Sequence, residues 1–250
     1  MLGLGLNITK SPLMTSFEDP ESISDLLSWW RYEYGYRNTS GTLRDITTTF
    51  PADDTNLRQW DDQVSGNHMV QITGSDQPRS VAADNSINFK NNAKYYSLLY
   101  PLTLTDYTII VLCKFAGSPS VISNRTFFGG DGPPSDGVSD DLIRIVNPTQ
   151  INFNYSGASI IINGLTTLAV DTYYVFTFTR EDALTAVYVD GVLWGSVTEV
   201  LPVGIFYIRN VGANDPESQN YRGHWKDVTI FDRALKTFEI LNMNTYLQAL

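Results

Sequence analysis

The chain has 250 residues, which suits one large all-β domain, and its 42% hydrophobic content is ample for a sizeable core. Seventeen basic against 27 acidic residues leave a formal charge of −10, with no lysine or arginine run. That excludes the cationic face needed to displace counterions from nucleic acid, and it sets the chain against anionic membranes.

Threonine, valine, isoleucine and the aromatic residues, which favour a half-buried pleated surface, are plentiful, so the composition leans towards strands. The single cysteine, Cys113, lies in the apolar run TIIVLCKF and reads as a small buried hydrophobe. The N-terminus lacks the basic start and long apolar stretch of a signal peptide, and no segment reaches the ~18 apolar residues of a membrane-spanning helix. The expected compartment is therefore the cytoplasm in which the chain is made. The sequons at Asn38 and Asn124 then carry little weight, because glycosylation needs the secretory route.

In chain order, LGLGLNI comes first. Leu2, Leu4, Leu6 and Ile8 alternate with glycines and Asn7, as one apolar face of a strand. With bare glycines opposite, such a strand must dock on something: an edge of its own sheet, or the sheet of a neighbouring subunit. A polar stretch broken by Pro12 and Pro20 reads as a linker, so residues 1–24 are expected to be an arm and linker and 25–250 one domain. DLLSWWRYEYGY follows, with a cluster that includes Tyr32, Tyr34 and Tyr36. These rings could stack on sugars, although core or edge packing is the favoured reading.

WDDQVSGNH, from Trp60, sets two acids beside a histidine and resembles chemistry. In its context it reads as a fold corner. Trp60 packs inward, Asp61 accepts turn amides, Gly66-Asn67 supplies positive φ, and Val70 and Ile72 start the next strand. His68 is expected to be an exposed turn residue. YTIIVLCKF reads as a central buried strand. LIRIV, INFNYS and SIIING follow, and then YYVFTFTR, in which Tyr174, Phe176 and Phe178 share a face. LTAVYVDGVLWGSV is a hairpin about Asp190-Gly191, since Asp-Gly between apolar runs is a strong hairpin signal. GIFYIRN and HWKDVTIFD supply two more strands, with His224 expected at an edge or a subunit contact. ALKTFEILNMNTYLQAL places Ile240, Met243 and Leu247 at helical spacing, beside Leu241. Many short strands and one terminal helix predict an antiparallel β-sandwich.

Several motifs in order carry a resemblance: WDDQVSGNHMVQITGSDQP, INFKNNAKYYSL, YTIIVLCKF, YVDGVLWGS and GHWKDVTIFDRALKTFEI. The chain resembles the laminin-G-like, concanavalin A-like jelly rolls, in the form common among bacteriophage structural proteins. The resemblance covers about residues 25–250 and implies a jelly-roll sandwich. It departs from the pattern at Lys236, which stands where the terminal helix carries a capping serine and leaves Glu239 without that partner.

The residues argue against an enzyme. A glycoside hydrolase needs two facing carboxylates, yet Glu-x-Asp-x-x-Glu and Glu-x-Asp-x-Glu are both absent. Asp140-Asp141 and Glu181-Asp182 are adjacent pairs, which point to opposite faces of a strand. No Gly-x-Ser-x-Gly elbow exists, and His68 and His224 are the only histidines. The loop carrying Asp131, Asp136, Asp140 and Asp141 offers oxygens to Ca²⁺, but its spacing fits no calcium motif, and a solvated acidic loop is preferred. Tyr95, Tyr96 and Tyr221 join the tyrosines available for sugar stacking.

The resemblance implies a non-enzymatic virion protein without a cofactor. The first expectation is a capsid decoration protein, homo-oligomeric and bound to other virion proteins through the arm, with a surface able to bind host glycans. The alternative is a tail or fibre adhesion domain that binds host carbohydrate.

Overall fold

The computed structural model describes residues 20–31, 34–38, 43–44, 56–89, 94–130, 141–155, 158–199, 205–214 and 219–250. In chain order its strands are β1 (Leu26–Arg31), β2 (Tyr36–Asn38), β3 (Leu43–Arg44), β4 (Leu57–Trp60), β5 (Met69–Val70), β6 (Arg79–Val81), β7 (Ser86–Asn88), β8 (Tyr96–Leu104) and β9 (Tyr107–Phe115). They continue with β10 (Arg125–Gly130), β11 (Asp141–Asn147), β12 (Gln150–Tyr155), β13 (Ala158–Asn163), β14 (Tyr173–Glu181), β15 (Leu184–Val189), β16 (Val192–Thr198), β17 (Phe206–Val211) and β18 (Gly223–Phe231). One helix, α1 (Thr237–Gln248), follows.

The strands build two antiparallel sheets, the sandwich that the sequence predicts. One has ten strands in the order β13-β12-β11-β10-β17-β8-β5-β4-β2-β3. The other has eight, in the order β16-β15-β14-β9-β18-β7-β6, with β1 also on β18. β18 divides one edge between two partners: His224 and Trp225 pair with β7, and Asp227 to Phe231 pair with β1.

Strand β9 shows why the sequence reads as it does. Ile109, Val111, Cys113 and Phe115 face the ten-stranded sheet, in a core shared with Phe127, Phe153, Phe176, Phe178 and Trp225. Ile110 and Leu112 face the other way, into a second apolar cluster with Ile240, Met243 and Leu247 of α1. Helix over sheet over sheet buries β9 on both faces, so it has no polar alternation. Phe176 and Phe178 face the core as expected, with Tyr174 packed at its margin. On α1 the expected seam is buried, while Leu241 is largely exposed beside the hairpin turn. That turn has Asp190 at φ 52° and Gly191 at φ 75°, which matches the twist of the flanking strands.

Two expectations change. Glu239 does cap α1: it accepts the Lys236 backbone N–H at 2.7 Å, and Arg233 grips its carboxylate at 2.7 and 2.9 Å. The glutamate half of a capping box thus forms without the serine half, anchored by Arg233. Pro20 and Ile23, assigned by sequence to the linker, are buried, Ile23 among the residues under α1. Leu2, Leu4, Leu6 and Ile8 lie outside the described residues.

Candidate functional site

In the Trp-Asp-Asp corner the second acid does the work expected of the first. Asp62 accepts the backbone N–H groups of Trp29 (2.8 Å), Val64 (3.1 Å), Ser65 (3.1 Å) and Asn67 (3.0 Å). Asp61 faces the other way and takes Arg37 and Gln59. The swap follows from alternation: Trp60, the last residue of β4, points into the core, so the next two residues, Asp61 and Asp62, diverge. Gly66 alone of the Gly-Asn pair has positive φ, at 74°. Asn67 instead pairs with both backbone groups of Tyr100, each at 2.8 Å. His68 is half-buried rather than exposed, and its Nδ1 accepts the Asp62 N–H at 3.1 Å. Ile72 lies beyond β5 and is exposed. The polar groups of this corner close its turn or tie it to neighbouring strands.

The tyrosines divide. Tyr36 is fully buried in the inter-sheet core and stacks on its cross-strand neighbour Trp60 at 5.8 Å, so its ring cannot meet a sugar. Tyr96 and Tyr221 are core residues. Tyr34 is half-buried under the Arg31 guanidinium, 5.0 Å from its ring, and Tyr95 is half-buried. Tyr32 lies outside the described residues, as do Asp131, Asp136 and Asp140; Asp141 opens β11. Among the described residues no group of three His, Cys, Asp or Glu is placed to hold a metal.

A polar cluster lies on the outer face of the eight-stranded sheet. Register sets Tyr173, Lys114 and His224 side by side on β14, β9 and β18. Asp84, from the turn before β7, reaches over them. Its carboxylate takes Lys114 Nζ (2.5 Å), Tyr173 OH (2.9 Å), His224 Nδ1 (3.2 Å) and Ser86 Oγ (2.5 Å). β18 runs inside the sheet, so His224 is not at an edge. Burial alone would raise the Asp84 pKa, but the bonds from His224, Lys114, Ser86 and Tyr173 outweigh it and hold the carboxyl well below its usual range.

Serine, histidine and aspartate meet here, but not as a relay. Ser86 Oγ and Asp84 Oδ2 approach the same imidazole nitrogen, Nδ1, at 3.0 and 3.2 Å, and Ser86 also bonds Asp84 directly. A triad needs the nucleophile on one ring nitrogen and the acid on the other. Beside the cluster a cleft of about 390 Å³ is lined by Leu112, Tyr173, Val175, Asp190, Lys226 and Leu247. Two of its polar groups are engaged: Asp190 accepts the Val175 N–H, and Lys226 Nζ sits 4.8 Å over the Tyr173 ring.

The other polar face is the outer side of the ten-stranded sheet, which sequence reasoning missed. Register aligns Thr126, Arg144, Asn152 and Ile161 in one row across β10 to β13, with Asn154 and Ser159 in the next. Arg144 Nη1 donates to Gln219 Oε1 at 2.7 Å, and Ser159 Oγ donates to Asn152 Oδ1 at 2.9 Å. Further along, Ser97 Oγ bonds Asn210 Oδ1, whose Nδ2 donates to the Asn214 carbonyl.

Two adjacent glycines let other segments approach β10 closely from its two sides. A Cβ on Gly129 would stand 2.8 Å from the Ala213 carbonyl oxygen, and one on Gly130 would stand 2.9 Å from the Tyr207 ring. Their absence lets the 213–214 backbone and the half-exposed Tyr207 ring settle onto the sheet. Two buried polar atoms in the row, Thr126 Oγ1 and Arg144 Nε, have no hydrogen-bond partner among the described residues. Buried polar groups are normally satisfied, so this deficit marks the face. The available signal was the alternation of Asn152 and Asn154 about Phe153 in INFNY.

The fold can be placed among known proteins. The family model of the concanavalin A-like lectin/glucanases superfamily, a laminin-G type, matches residues 82–241. No curated protein sequence matches. Trypanosoma rangeli sialidase with the inhibitor DANA is similar, with TM-score 0.56 and 13% identity over 88% of this chain and 32% of that one. The chain thus spans about a third of the sialidase. Domain 4 of AbnA, a GH43 extracellular arabinanase from Geobacillus stearothermophilus, in complex with arabinotriose, gives TM-score 0.55 and 15% identity. There the match covers 88% of this chain and 98% of that one. At such identities the likeness is one of fold. With the family model matching well over half of its length, the chain belongs to the concanavalin A-like lectin/glucanase superfamily.

Proposed function

We propose that the chain is a non-catalytic carbohydrate-binding module whose binding face is the outer side of the ten-stranded sheet. The observation that carries this reading is the polar outer face on which register sets Arg144 opposite Asn152, with Asn154 in the next row and the half-exposed Tyr207 ring further along the same sheet on β17. Side-chain amides and guanidinium groups offer the donors and acceptors that adjacent sugar hydroxyls need, and an aromatic edge offers apolar contact. The wiring of Asp84, Ser86 and His224 supports the non-catalytic part. The arabinotriose complex of the similar arabinanase domain suggests short oligosaccharides as first probes.

The test is calorimetric titration with an oligosaccharide panel, run on the wild type and on Tyr207→Ala. Binding should appear, and the variant should lose at least about tenfold in affinity, near 1.4 kcal/mol, with an unchanged melting midpoint. Equal binding by both proteins would move the site elsewhere, and release of reducing sugar would make the protein an enzyme.

The setting we assign to the module is a virus particle assembled in the host cytoplasm, as a capsid decoration protein contacting the shell and neighbouring copies. This rests on the resemblance of the ordered motifs from Trp60 to Ile240. A tail adhesion domain is the alternative, which the same sugar-binding face would serve.

A further inference from the structure

We propose that the glycan taken by the ten-stranded face is acidic, its anionic group docking on the exposed edge of the Arg144 guanidinium. The inference rests on the glycan-binding reading above and narrows its ligand class to sugars bearing a carboxylate or a sulfate.

Among the described residues several cations have a carboxylate partner, and Arg144 has none. Arg37 has Asp61, Lys114 has Asp84, and Arg233 has both Asp25 and Glu239. Arg144 has a neutral partner, Gln219, and among the described residues no carboxylate pairs with it. Its Nε is buried without a hydrogen-bond partner, next to Thr126, a fully buried cross-strand neighbour whose hydroxyl is likewise unpartnered. Burial pushes the guanidinium pKa down, as expected of a charge short of both water and counter-ion. A partly desolvated, uncompensated charge is costly in the free protein, and an arriving anion relieves that cost. A planar guanidinium also suits the two oxygens of a carboxylate or sulfate.

A second cation extends the face. Arg209 is exposed on β17, alternating with the core residue Ile208. It lies two strands from Arg144 in the order β11-β10-β17 and about three residues along from it, since Asn210 and Leu142 share the level of Gly129, which separates the two backbones by roughly 14 Å. Two arginines so spaced, in a chain of net charge −10, favour a ligand with repeated anionic groups over a single ion.

The experiment uses the full chain and four probes: oligogalacturonate for a carboxylate, heparin oligosaccharide for a sulfate, and arabinan and dextran oligosaccharides as neutral controls. Affinity is read by calorimetry at two salt concentrations. At least one acidic probe should bind tenfold or more tighter than the neutral ones and weaken as salt rises, and the preferred probe identifies the anion. Arg144→Gln should abolish that preference while keeping or raising the melting midpoint, and Arg209→Gln should reduce it severalfold.

Neutral probes that bind as tightly as the acidic ones, with both variants unchanged, would overturn the proposal and leave the glycan reading standing. Binding of none of the four would overturn both. If Arg144→Gln does not fold, Arg209→Gln decides: an unchanged acidic preference counts against the proposal.

Discussion

Asp62 joins two stretches of chain through one carboxylate, taking an amide from β1 and three from its own turn. Removing it leaves several N–H groups short of an acceptor at once. Asp62→Ala should therefore cost about 3 kcal/mol in urea unfolding. Asp61→Ala, which loses a pair between a buried carboxylate and the half-buried Arg37 together with the Gln59 bond, should cost less, about 1–2 kcal/mol. Neither should alter glycan affinity, and a selective loss of binding would return the corner to the candidate sites. The sequence showed that this corner is a turn, with Trp60 pointing inward. Which aspartate closes the turn was not legible, because the choice depends on where strand β4 ends. Tyr36 was misleading for another reason: a tyrosine in a polar, aromatic-rich stretch looks accessible until the second sheet packs over the face it occupies.

At the scale of elements, the Asp84 cluster ties the turn before β7 to Ser86, β9, β14 and β18. Because the Asp84 carboxyl titrates lower when folded than its ordinary value of 3.8, it adds stability above that pH. The contribution declines as pH falls below the ordinary carboxylate range. Asp84→Asn should destabilise by about 2 kcal/mol at pH 7, and the difference from wild type should shrink steadily towards pH 2. A difference independent of pH would mean that the side chain acts by packing alone. Strands β9, β12 to β16 and β18 were legible because apolar period or an Asp-Gly turn marks each. The short strands β2 to β4 were not, having too few residues to show a period, and β5 was read from Val70 but ends before Ile72. The polar face was hidden differently: Thr126, Arg144, Asn152 and Gln219 are far apart in sequence and become neighbours only through register.

For the whole molecule, the layered sandwich with its terminal helix matches the predicted class, and the assembly reading turns on a segment outside the described residues. Deleting Met1 to Lys10 should abolish incorporation into particles while leaving the melting midpoint nearly unchanged. Unfolding of the truncated protein would instead make that segment part of its own domain. The central place of β9 has a kinetic side. Its two neighbours are β14, which begins at Tyr173, and β18, which begins at Gly223, so the middle of the eight-stranded sheet closes only through distant pairings. Loop closure must precede the reward from such contacts, which makes folding slow. During synthesis on the ribosome, YTIIVLCKF emerges long before either partner and stays bare of its final neighbours until residues 223–231 follow. A sandwich sealed so late depends on chaperone cover for that strand while the chain is still growing.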